Sequence, residues 1–146
     1  MWLALALLCA AAIFAFSATE GDESDAMSMS IAGRINFMGM DEYMLDALNF
    51  IVRKTAHFAV FFTLGFCLAN TLKYFGRDAK SKRRMFWLSW GIASAYGVFD
   101  EIHQYFVPGR SCTATDMLIN AAGAFCGVLA AHVLLAKFAA KRAAKP

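Results

Sequence analysis

Four apolar stretches, at about residues 1–18, 55–72, 85–106 and 117–136, take up more than half of this 146-residue chain. Each is close to the roughly 20 residues that an α-helix needs to cross the hydrocarbon core of a bilayer. Inside lipid a segment must satisfy its own backbone hydrogen bonds, which helices do within one stretch of chain. The chain is therefore expected to be all-α: an integral membrane bundle of four transmembrane helices, forming a single domain over 1–146. Residues 17–53 would then be an extracytoplasmic loop between helices 1 and 2. The chain is 60% hydrophobic, with 17% charged residues and two prolines, which argues against a disordered or low-complexity protein. A very apolar soluble helical bundle is the competing fold.

The charges between these stretches segregate by sign. Ten of the fourteen Lys and Arg residues lie in 73–84 and 137–146, Arg77 and Lys145 among them, whereas 17–53 holds seven of the eleven acids. Basic loops stay on the cytoplasmic side of a membrane. The pattern predicts a multi-pass protein of the cell membrane with both termini and loop 73–84 in the cytoplasm, and with 17–53 and 107–115 outside. The basic segments read as anchors at anionic headgroups, so membrane lipid is an expected partner and nucleic acid is not. Cys9, Cys67 and Cys126 fall inside apolar stretches and only Cys112 lies in a loop. With no CxxC pair, neither a disulfide scaffold nor a cysteine metal site is expected. Residues 1–18 end in small residues, as a signal peptide does. No basic residue precedes the apolar run, however, which favours an uncleaved first helix.

Within the outer loop, Ile31 to Phe50 mixes apolar residues with acids and could form an amphipathic surface helix, with Asp41 at its start. Val107-Pro108-Gly109-Arg110 has Pro and Gly at the central positions of a type II turn. Thr113 or Thr115 could cap the helix that follows. Helical spacing gathers the other polar residues into stripes. Lys54, His57 and Phe61 share one face of the second stretch. Ser94, Gly97, Glu101 and Gln104 share a face of the third, and Asp116, Asn120, Gly123 and Gly127 a face of the fourth. In the predicted topology the polar ends of all three stripes meet at the outer headgroup level.

Ionisable residues at such a depth are costly, turn inward and mark functional sites. Lys54 and Arg110 can pair with Glu101 and Asp116, with Asp100 nearby. Read as a binding site, Lys54 and Arg110 hold a phosphate or carboxylate, with Gln104, Asp116 and Asn120 beside them. Glu101 or His57 is then a candidate general base. Read as architecture, the same residues form a buried network that fixes helix register. His103 reads as an interfacial histidine and His132 as a structural one. His57, Asp100, Glu101, His103 and Asp116 include metal-ligand types, but no HExxH-like spacing joins them, so neither a metal nor another cofactor is expected. Gly123 and Gly127 form a GxxxG pattern, read as close packing within the bundle ahead of a dimer contact. The oligomeric state stays open.

At these residues the chain resembles the VanZ-like family of membrane proteins, named for an accessory factor in teicoplanin resistance. The family's pattern of Glu, Gln, Pro-Gly-Arg, Asp, Asn and two glycines is matched by DEIHQYFVPGRSCTATDMLINAAGAFCG. It falls on Glu101, Gln104, Pro108, Gly109, Arg110, Asp116, Asn120, Gly123 and Gly127. RKTAHFAVFFTLGF matches the Lys-x-x-His-Phe block, on Lys54, His57 and Phe58, and FSATEGDESDAMS is similar to the serine-rich stretch after the first helix. The resemblance spans roughly residues 10–130. It implies a cell-envelope setting, a genuine first helix and, as in some members, lowered susceptibility to glycopeptide antibiotics of the teicoplanin type.

Two functions fit this reading. In the first, the outer cluster binds an anionic lipid headgroup or a lipid-bearing glycopeptide. In the second, the protein is a membrane enzyme acting on a lipid-linked envelope precursor or a glycopeptide. Glu101 is then the acid or base, His57 assists, and Arg110 and Lys54 stabilise negative charge. A transporter is a weaker third reading, because four short helices leave little room for alternating access. Whether turnover occurs is left open.

Overall fold

The computed structural model describes residues 1–35, 39, 41–75 and 78–143, so Arg77 and Lys145 of the basic segments lie outside the described residues. The described chain is helical: α1 (Trp2–Ser17), α2 (Gly21–Ile35), α3 (Glu42–Leu72), a 3₁₀ turn (Lys73–Phe75), α4 (Ala79–Tyr105) and α5 (Ala114–Ala143). Short polar side chains start the three long helices. Asp41 accepts from the Met44 N–H at 2.8 Å, Asp78 from the Ser81 N–H at 2.6 Å, and Thr113 Oγ1 from the Asp116 N–H at 3.1 Å. Each satisfies a backbone donor that the first turn leaves free.

The helix that Asp41 starts is not a separate surface element. It is α3 itself, which runs unbroken into the apolar stretch expected at 55–72. No Gly or Pro interrupts residues 42–64, so nothing stops the helix once it is capped. Its 31 residues extend about 46 Å, well beyond a hydrocarbon core of about 30 Å. The helical part of the expected outer loop is instead α2. It follows α1 after a three-residue break with a bend of 109° and packs against α3.

By length and composition, α3 and the Ala114–Leu134 part of α5 can each cross a membrane, and the bent α1–α2 pair is a third span if taken together. These are two or three of the four spans expected. In α4 the apolar middle is diluted by Lys80, Lys82, Arg83 and Arg84 at one end and by Asp100, Glu101 and Gln104 at the other. The distribution of polarity supports a lipid setting for the whole bundle. Leu7, Leu8, Phe99, Ile102 and Leu118 are exposed, whereas Ser89, Asp100, Glu101, Gln104, Asp116 and Asn120 are buried. A soluble monomer rarely exposes apolar surface on this scale.

The most extensive packing in the molecule joins α3 to α5, and α3 also meets α1, α2 and α4. Glycines let the backbones touch. A Cβ on Gly123 would overlap the backbone of Phe58, one on Gly127 that of Phe62, and one on Gly65 that of Ala124. The GxxxG pair therefore faces α3 of the same chain. Gly97 plays a similar part on α4, where an added Cβ would lie 3.0 Å from Asn120 Cβ and 3.2 Å from Phe61 Cε1. Two long-range hydrogen bonds tie α4 to α5 and to α1: Trp90 Nε1 donates to the Ala121 carbonyl at 3.0 Å, and the Tyr96 hydroxyl to that of Ala10 at 2.8 Å.

Gly127→Ala is expected to lower stability in detergent by about 1–3 kcal/mol, the usual cost of overpacking. Gly91→Ala, where a Cβ meets nothing within 4 Å, should be neutral or stabilising by up to about 1 kcal/mol. Thermal unfolding of the two variants side by side measures the difference.

Candidate functional site

The α3–α5 contact, with α4 against it, encloses a continuous polar network. Lys54 Nζ donates to Asp116 Oδ1 at 2.5 Å. The Thr113 hydroxyl donates to Asp116 Oδ2 at 2.8 Å, so one residue both caps α5 and positions its first acid. The Thr113 N–H donates to Glu101 Oε2 at 3.3 Å. His57 Nδ1 lies 3.2 Å from Asn120 Oδ1 and 3.9 Å from Glu101 Oε1. Glu101 and Asn120 are both 0% exposed. Glu101 Oε1 and Asn120 Nδ2 find no hydrogen-bond partner among the described residues.

Beside this network, where α1 bends into α2, lies a cavity of about 340 Å³. Its length is apolar, with Ile13, Met27, Ile31 and Val60, and its polar lining includes His57, Asp100, Gln104 and Arg110. Gln104 Nε2 donates to Asp100 Oδ2 at 2.9 Å across one helical turn. Arg110 donates to the Ser24 hydroxyl at 2.8 Å and to the Phe16 carbonyl at 3.1 Å. Among the described residues it makes no ion pair, and its Nε has no partner. Burial, and then the neighbouring Arg53 guanidinium, push Arg110 below the usual arginine value. An arginine still remains protonated.

The sequence-predicted residues thus come together in two adjoining compartments. Lys54, Glu101, Asp116 and Asn120 belong to the enclosed network. Gln104 and Arg110 belong to the cavity, and His57 borders both. Arg110 was expected beside Glu101 or Asp116 but bonds to α1 and α2 instead. The cause is the turn that carries it. Gly109 has φ +72°, the Arg110 N–H donates to the Val107 carbonyl at 3.2 Å, and the Gly21 N–H donates to the Pro108 carbonyl at 3.0 Å. The turn therefore docks on the first residue of α2, where a Cβ on Gly21 would overlap the Gly109 backbone.

Sequence reasoning passed over Arg53, which forms an ion pair with Asp25 of α2, and Ser17 and Ser24, which line the cavity. The serine-rich stretch after the first helix was the available signal for the serines. His103 stacks on Phe14 with ring centroids 4.5 Å apart, and His132 Nδ1 lies 3.0 Å from the Val128 carbonyl of the preceding turn.

A family model described as VanZ/LLP1 matches residues 2–135. No curated protein matches the chain, and no solved structure does.

The Lys54–Asp116 pair is mostly buried, with side chains 24% and 11% exposed. Lys54→Met strands the Asp116 carboxylate and should cost about 3 kcal/mol. Adding Asp116→Asn should recover part of that loss, with a coupling of about 1–3 kcal/mol in a double-mutant cycle of unfolding in detergent.

Proposed function

The chain belongs to the VanZ/LLP1 family, and from that premise we propose a multi-pass cell-envelope protein whose outward-facing cavity binds an amphiphile with an anionic head. The observation that carries this reading is Arg110. It is a charged guanidinium in the lining of an otherwise largely apolar cavity, bonded only to neutral oxygens among the described residues. Such a group presents two parallel N–H donors to a phosphate or carboxylate. The apolar residues Ile13, Met27, Ile31 and Val60 then suit an acyl chain. A membrane phospholipid has this chemistry, and so does a lipid-bearing glycopeptide of the teicoplanin type. Holding such an antibiotic at the headgroup level would keep it from its target and contribute to resistance.

The orientation follows from charge. Four passes with both termini cytoplasmic put the acid-rich α2 and the Pro108–Arg110 turn on the outer face. At 16 residues α1 is about 24 Å long, short for a span, and local thinning or snorkelling would accommodate it. A second reading is favoured by His57, which borders the cavity and lies 3.9 Å from Glu101. In an enzyme acting on a lipid-linked precursor, His57 would meet the substrate, and the enclosed Glu101 would take up its proton or fix its orientation.

Mass spectrometry of lipid retained by the purified protein tests the binding reading. Arg110→Ala should reduce bound acidic lipid at least about tenfold, equivalent to about 1.4 kcal/mol, and raise the teicoplanin susceptibility of cells expressing it. Unchanged lipid retention would overturn the proposal. A folded Glu101→Gln variant with full resistance would eliminate acid–base catalysis by Glu101. Cys112 should react with a membrane-impermeant maleimide added from outside, and labelling only from the cytoplasmic side would reverse the orientation.

A further inference from the structure

We infer that His57, Asp100 and Glu101 form a binding site for a divalent first-row transition-metal ion of the Mn²⁺ or Zn²⁺ type. One ring nitrogen and one oxygen from each carboxylate lie within 4.8 Å of one another. Metal–ligand distances of about 2.0–2.2 Å would draw them somewhat closer.

Two buried carboxylates side by side are not in themselves a site. What sets this pair apart is how each member is held. Asp100 has Oδ2 fixed by Gln104 and Glu101 has Oε2 fixed by the Thr113 N–H. The other oxygen of each, Asp100 Oδ1 and Glu101 Oε1, is buried without a partner among the described residues. The residues are 3% and 0% exposed. An unpaired carboxylate oxygen in such a place is costly. The Ser17 hydroxyl, 2% exposed, sits beside Asp100 and lines the same cavity.

Charge balance agrees. With all three ionised, Asp100, Glu101 and Asp116 face only the cations Lys54 and Arg110, a deficit of one positive charge. The ligand set selects among cations. Ca²⁺ and Mg²⁺ favour shells made wholly of oxygen, whereas one imidazole with two carboxylates suits Mn²⁺, Fe²⁺ or Zn²⁺. An entry path exists, because His57, Asp100 and Ser17 all line the cavity. This site does not depend on what the cavity binds, although a metal there would put a second positive centre close to Arg110.

The full-length protein, purified in detergent and stripped with chelator, is titrated with Mn²⁺ while electron paramagnetic resonance follows loss of the free-ion signal. The expected result is saturable binding of one Mn²⁺ per chain, with hyperfine coupling to nitrogen from ¹⁵N-labelled histidine. Asp100→Asn and Glu101→Gln should each weaken binding by about tenfold or more, while Arg110→Ala, which removes a nearby positive charge, does not weaken it. Failure of the Arg110→Ala lipid experiment with Mn²⁺ binding intact would remove the lipid reading alone. Should a carboxylate variant fail to fold, the histidine coupling in the unmodified protein decides. Absence of saturable Mn²⁺ and Zn²⁺ binding, or bound Mn²⁺ without histidine nitrogen, overturns the site. A proton shared by Asp100 and Glu101 would then be what makes up the deficit.

Discussion

Charges buried between helices must be matched by other charges and by hydrogen bonds, and most of this structure answers to that requirement. Asp100, Glu101 and Asp116 lie inside a molecule whose outer surface is largely apolar. Taking such groups from water costs several kcal/mol per ion unless close partners replace the solvent. Lys54 and Thr113 do this for Asp116, the Thr113 N–H for one side of Glu101, and Gln104 for one side of Asp100. These partners come from α3, α4 and the turn that joins α4 to α5, and the acids they hold lie on α4 and α5. The register of three helices is thereby tied to a single polar layer.

That layer can close only because the backbones approach closely. Gly65, Gly123 and Gly127 remove the side chains that would hold α3 and α5 apart, and Gly97 makes room on α4 for Asn120 and Phe61. In lipid there is little hydrophobic force between helices, so close packing and interhelical hydrogen bonds must supply the association. The glycines and the polar residues are two parts of one solution: the former set the separation at which the latter can reach each other.

Much of this was legible in the sequence, because it rests on periodicity. Lys54 and His57 share a face one turn apart, as do Asp116 and Asn120, and the two faces meet. The capping roles of Asp41 and Thr113 could also be read locally, since a cap acts within its own first turn. The cavity was not legible. It depends on the bend between α1 and α2 and on the contact of Gly21 with Gly109, backbone against backbone between residues far apart in the chain. Neither leaves a periodic trace. The same contact sends Arg110 toward Ser24 and Phe16, so the partners that charge alone suggested for it were wrong. Where α3 begins was missed for a related reason: hydropathy marks the apolar part of a helix, while its true start is set by a cap and by the lack of a breaker.

The two compartments share one side chain, and this gives the arrangement its functional logic. The enclosed network ties Lys54, Glu101, Thr113, Asp116 and Asn120 together, and its first effect is to hold helices in place. The cavity has room, and Arg53, Asp100 and Arg110 bring charge to its lining. His57 borders both, held by Asn120 on one side and close to Glu101 on the other. A group entering the cavity therefore meets an imidazole whose orientation is set by the helix packing. Any change in the ionic state of the buried carboxylates acts on the same ring through a few ångströms of low-dielectric protein, where electrostatic effects are strong. Binding of the proposed ligand in the cavity would for that reason be coupled through His57 to the balance of charge behind it.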